Sequence, residues 1–84
     1  METNLKLRNE IFKIIENQIE ANDPPETLIT FKRLKDQGFS DFEVKQLIGQ
    51  CVAVEIYNVM KFKKPFDKER YIKNLNNLPK EPSE

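Results

Sequence analysis

Seven residues, Gly38-Phe39-Ser40-Asp41-Phe42-Glu43-Val44, set a boundary in the middle of this chain. Ser40 and Glu43 form S-x-x-E, the spacing of a capping box, in which each side chain bonds the other residue's backbone N–H. Phe39 and Val44 hold the flanking positions of a hydrophobic staple, and Gly38 is placed to end a preceding helix. One helix therefore stops here and another starts. Apolar residues then recur at helical spacing as far as Phe62, so the chain reads as all-α and organised around a helix over residues 41–62.

The same periodicity predicts three further helices. Over residues 4–21, Leu5, Leu7, Ile11, Phe12, Ile14, Ile15 and Ile19 fill about half of the helical wheel. Gln18 falls inside that apolar arc, where an amide needs a backbone partner or acts as a packing determinant between chains. The segment Asn22-Asp23-Pro24-Pro25-Glu26 breaks the pattern. Asp23 reads as an N-cap, Pro24 as the first helical residue, and Glu26 as the far side of a second capping box. A helix over 24–37 then places Leu28, Phe31 and Leu34 on one face and Ile29 roughly opposite, as a second contact or an exposed apolar residue.

The helix over 41–62 differs in kind. Val44, Leu47, Ile48, Cys51, Val52, Ala53, Val54, Ile56, Val59 and Met60 wrap more than half of it, which marks the element others pack around. It would be about 33 Å long. Lys61, Lys63 and Lys64 suit the negative end of its dipole, and Pro65 stops it. Asp67 caps a short fourth helix, whose stripe is Tyr71, Ile72, Leu75 and Leu78. The expected architecture is a compact four-helix domain over residues 1–78, the third and longest helix central, with a flexible tail over 79–84.

Composition excludes several chemistries. With no histidine, the commonest zinc ligand and the usual general base near neutral pH are missing. The single cysteine makes neither a thiolate metal site nor an internal disulfide, and it fits a reducing compartment. Only Ser40 and Ser83 carry serine hydroxyls, and the first is committed to a cap. Gly38 and Gly49 lie too far apart for a phosphate-cradling loop. No catalytic, cofactor-binding or metal-ligating set is expected. Fourteen basic and fourteen acidic residues cancel, leaving no global field toward nucleic acid or an anionic membrane. The charge is mildly segregated: residues 1–60 hold seven basic and ten acidic groups, a net of −3, and residues 61–84 hold seven and four, a net of +3. No N-terminal apolar run resembles a signal peptide, and no stretch reaches membrane-spanning length, so a cytoplasmic protein is expected.

Three polar positions carry alternatives. Cys51 lies in the apolar arc and reads as a buried thiol rather than a reactive thiolate. Glu55, among Cys51, Val52, Ile48 and Val59, needs an ion pair or hydrogen bonds from another helix, or else serves as a recognition carboxylate in a pocket. Tyr57 and Val54 lie on a face that three short helices are not expected to cover. The segment 28–47 also has helix-turn-helix spacing, but its second helix opens with Asp41 and Glu43, and a recognition helix needs donors aimed at base edges.

Gln18, Ala21-Asn22-Asp23-Pro24, Cys51-Val52-Ala53, Tyr57, Pro65, Asp67, Tyr71 and Leu75 together make the chain resemble a small all-helical bacterial family of unknown function. In that family the first and third helices each carry an H-x-x-x-H pair. The matching positions here are Arg8 and Phe12, and Phe42 and Gln46. The resemblance implies that helices 1 and 3 face each other and bring the two phenylalanines together, with Arg8 and Gln46 more exposed beside them. It also implies that any metal held by such relatives is lost here.

The expected function is that of a small cytoplasmic bacterial protein without catalytic activity, acting by contact with an unidentified protein or as a homodimer. Gln18, Ile29, Glu55 and Tyr57 are the candidate interaction or structural polar positions. The alternative is a DNA-binding helix-turn-helix regulator; no cofactor and no membrane association are expected.

Overall fold

The helix boundaries follow from local chemistry. In a computed structural model, which describes residues 2–82 and the side chains from Lys6 onward, the chain folds as α1 (Glu2–Ala21), α2 (Pro25–Asp36), α3 (Asp41–Phe62) and α4 (Lys68–Asn77). Leu5, Ser83 and Glu84, which entered the reading above, lie outside the described side chains.

Gly38 adopts φ +100°. Its N–H donates to the Lys35 carbonyl at 3.0 Å, and the Phe39 N–H donates to the Leu34 carbonyl at 3.2 Å. These two bonds are the Schellman pattern that ends a helix on a left-handed residue. Asn22, at φ 53°, ends α1 in the same way, with Asp23 N–H donating to the Gln18 carbonyl and Asn22 N–H to the Ile19 carbonyl. The Ser40–Glu43 capping box forms in both directions: Ser40 N–H donates to Glu43 Oε1 at 2.9 Å, and Glu43 N–H to Ser40 Oγ at 3.2 Å. Lys63, left-handed at φ 56°, closes α3 through a bond to the Val59 carbonyl.

The second expected capping box does not form. Pro24, not Asp23, is the N-cap of α2, with no side-chain bond, and Pro25 takes the first helical position. The reason lies in the proline pair: a residue preceding proline is forced out of the helical region, and Pro24 accordingly sits at φ −76°, ψ 150°. Asp23 instead pairs at 3.8 Å with Lys68. Thus α2 starts and ends one residue inside the expected range, and α1 starts earlier than expected, at Glu2.

The core comprises Ile11 and Ile15 from α1, Leu34 from α2, Val44, Ile48, Cys51 and Val52 from α3, and Tyr71, Leu75 and Leu78 around α4. Phe39 packs against this cluster while Val44 lies within it, as the staple positions require. α3 touches all three other helices, and so does α2. The α1–α3 approach is close because Gly49 carries no side chain there: a Cβ would stand 3.2 Å from Ile11 Cγ2.

Two faces differ from the wheel reading. α2 buries Thr27, Thr30 and Leu34, while Leu28 and Phe31 are only half-buried. α4 buries Asn74 with Tyr71 and Leu75, and Ile72 is half-buried. In both helices a polar side chain takes the central place of an aliphatic one; in α2, Thr27 does so by bonding Gln18. In the segment after α4, Pro82 is half-buried.

Candidate functional site

Glu55 is fully buried, and its carboxylate is spoken for on both oxygens. Arg70 Nε donates to Oε2 at 2.6 Å, Arg70 Nη2 to Oε1 at 2.9 Å, and the Asp67 backbone N–H to Oε1 at 2.9 Å. This guanidinium fork is the strong geometry for a carboxylate, and hydrogen bonding to Glu55 raises the Arg70 pKa. The pair ties the start of α4 to the middle of α3. Of the two readings weighed for Glu55, the paired one describes this geometry, and the carboxylate opens into no pocket.

Gln18 also has a structural occupation, through side chains rather than the backbone bond considered above. Its Oε1 accepts from Thr27 Oγ1 at 2.8 Å and from Tyr71 Oη at 2.7 Å, joining α1, α2 and α4 at one atom. Cys51 is buried, and burial pushes its thiol up to about 12, so it is a small hydrophobe and not a nucleophile. Burial likewise raises Tyr71 to about 12. Arg33 was not foreseen: its Nη1 and Nη2 donate to the Leu78 and Leu75 carbonyls, both at 2.9 Å. It satisfies the end of α4 from 42 and 45 residues away in sequence, a pairing no local signal encodes.

Phe12 and Phe42 meet edge to face, with centroids 5.8 Å apart. The Arg8 guanidinium lies 5.4 Å from the Phe42 centroid. Gln46 is exposed beside them, but Arg8 is half-buried whereas Phe42 is 49% exposed, the reverse of the order expected. Stacking on the ring covers the arginine and leaves the outer face of the ring in water. Among the described residues no group of three or more acidic or cysteine side chains is arranged to hold a metal.

The remaining feature is uncovered apolar surface. Ile29 is 62% exposed and stands alone on α2. On α3, Tyr57, Val59, Met60 and Phe62 are exposed, Met60 by 71%; Phe66, in the α3–α4 connection, is exposed as well and packs edge-on against Tyr71. Lys61 Nζ donates to Tyr57 Oη at 2.8 Å and lies over the Tyr57 and Phe62 rings. The core takes one face of α3 as far as Glu55 and Ile56, and beyond them Tyr57, Val59, Met60 and Phe62 are exposed. Gln50, Ala53, Val54 and Tyr57 line an open cleft bordered by Glu81 and Pro82.

The opening of α3 presents two carboxylates. Bonding to Lys35 keeps Asp41 below the usual carboxylate range, and the Ser40 backbone and hydroxyl do the same for Glu43. Among the described residues no helix is long and apolar enough to cross a membrane. Compared with protein-family models, with curated proteins and with solved structures, the chain matches none.

Proposed function

We propose that this chain is a small non-catalytic helical module of the bacterial cytoplasm that works by contact with another protein or with a second copy of itself. The observation that carries this reading is the exposed C-terminal end of α3, where Tyr57, Val59, Met60 and Phe62 stand out of the core. Several large apolar side chains left exposed near one end of a helix offer material for an interaction site. Of the polar groups that could have served chemistry, Glu55 and Gln18 are engaged in bonds between helices, and Cys51 is buried in the core with its thiol directed to the Leu47 carbonyl of its own helix.

The helix-turn-helix alternative keeps the motif's order in α2 and α3. Against it, Asp41 and Glu43 stay ionised where phosphate would approach. A low-salt titration with mixed DNA separates the two readings, since even non-specific DNA binders respond there. The contact reading is tested by capture from a lysate of the source cells, with Met60→Asp as the control, alongside sedimentation. A protein retained by the wild type and lost by the variant, or reversible self-association, supports it. If neither occurs, it is wrong.

A further inference from the structure

Five of the exposed residues of α3 fall in one line. Gln46, Gln50, Ala53, Tyr57 and Met60 are all exposed, and their spacing of four, three, four and three residues is that of a coiled-coil seam. They run about 21 Å along one side of the helix. Ala53 at the middle is small enough to let a second helix approach closely. Leu47 and Val54, both half-buried, flank the seam on one side.

We infer that this seam docks against the same seam of a second copy, the two α3 helices antiparallel about a two-fold axis beside Gln50 and Ala53. This rests on the contact reading above and names its occupant. Charge decides the direction. α3 opens with Asp41 and Glu43 and closes with Lys61, followed by Lys63 and Lys64. None of these three lysines is within ion-pair distance of a carboxylate among the described residues. Asp41 is shared with Lys35, and Glu43 spends Oε1 on the Ser40 N–H, so the second oxygen of Glu43 is what this end offers a partner. A parallel pair would set lysines against lysines. An antiparallel pair brings the lysine end of each copy to Glu43 of the other, and it opposes the helix dipoles favourably.

The register follows from the seam. Opposing seam positions become Gln50 with Ala53, Gln46 with Tyr57, and Glu43 with Met60. Each bulky or polar side chain thus faces a different one and not its own copy. A specific interface takes about 600 Å² or more from each partner, roughly a tenth of this chain's 5841 Å² surface. Two polar glutamines in the seam set the register at some cost in stability, so the dimer is weak and concentration-dependent.

The test uses the full chain in sedimentation equilibrium and in disulfide trapping. The wild type is expected to move from the 10.0 kDa monomer mass toward twice that value as concentration rises. Ala53→Glu, a helix-compatible change at an exposed position, is expected to weaken association about tenfold or more with its helix content unchanged. An equimolar mixture of Gln46→Cys and Tyr57→Cys chains is expected to give the mixed disulfide in excess over both like pairs. Cys51 stays in place, being buried and protonated. Like-pair disulfides in excess would show a parallel pair and overturn the inference. So would a dimer indifferent to Ala53→Glu, or a monomer persisting at about 1 mM. Binding of the monomer to vesicles of anionic lipid would assign the face to a membrane surface, also overturning it. A foreign protein captured through this face by a monomeric chain would overturn the dimer and leave the contact reading intact.

Discussion

Replacing Gln18 by leucine removes the acceptor shared by two hydroxyls, Thr27 Oγ1 at 2.8 Å and Tyr71 Oη at 2.7 Å. Thr27 and Tyr71 are both fully buried, so neither hydroxyl finds water in its place. A buried donor stripped of its acceptor costs about 1–3 kcal/mol, which puts Gln18→Leu near 2–6 kcal/mol. Because the two hydroxyls converge on one atom they can partly bond each other, and the lower half, about 2–4 kcal/mol, is expected. Tyr71→Phe removes one donor and leaves Gln18 its bond to Thr27, so it costs only about 0.5–1.5 kcal/mol. The triple variant Gln18→Leu/Thr27→Val/Tyr71→Phe removes every member of the network and is therefore expected to be more stable than Gln18→Leu alone. Urea unfolding followed by circular dichroism measures each difference, with unchanged m-values confirming a change in stability and not in the surface exposed. A small domain has about 5–15 kcal/mol in total, so effects of this size are well resolved. If the triple variant proves less stable than Gln18→Leu, or if the three single losses simply add, the shared-acceptor account is wrong.

Ser40→Ala removes half of the capping box and is expected to cost about 1 kcal/mol, read from thermal or chemical unfolding; no loss would place the start of α3 under tertiary control. Gly49→Ala gains about 0.5–1 kcal/mol of helix propensity, yet its new Cβ meets the stiff Ile11 side chain at 3.2 Å, so a net loss of stability is expected on unfolding. Burial raises Cys51 from 9.0 and Tyr71 from 10.0, each to about 12. Their folded forms hold protons more tightly than the unfolded chain, so this contribution is complete below about pH 9 and lost as pH rises toward 12. A melting temperature that stayed flat across that window would contradict the burial, as would rapid reaction of native Cys51 with a thiol reagent at pH 8. Zinc and a chelator are each expected to leave the melting temperature unchanged, because an ion bound only by the native state would raise it.

Short-range chemistry reads directly from the residues here. Ser40 and Glu43 are three positions apart, and Gly38 is where a left-handed turn is required. Caps and terminators act over four or five residues, and α3 begins and ends where expected for that reason. The same short range explains the miss at the start of α2: two prolines compete for its first turn, and the steric effect of Pro25 on Pro24 outweighs the capping preference of Asp23. Apolar periodicity identified the helix that supplies the largest share of the core, but it could not rank Thr27 above Leu28 or Asn74 above Ile72. A wheel scores each side chain by its own polarity and not by what it meets across the core. Glu55 shows the limit most clearly. Its position among aliphatic neighbours signalled that a partner was needed, while the choice of Arg70 and the Asp67 N–H depended on how α4 folds back on α3. Arg33 on the end of α4 left no trace in the sequence, because its partners are backbone carbonyls that any residue could supply. The sequence by itself determined the helices, their ends and the absence of a histidine-based or glycine-loop site. Only the tertiary structure decided which polar groups are consumed in the core and which part of α3 remains uncovered, since both depend on contacts between residues far apart in the chain.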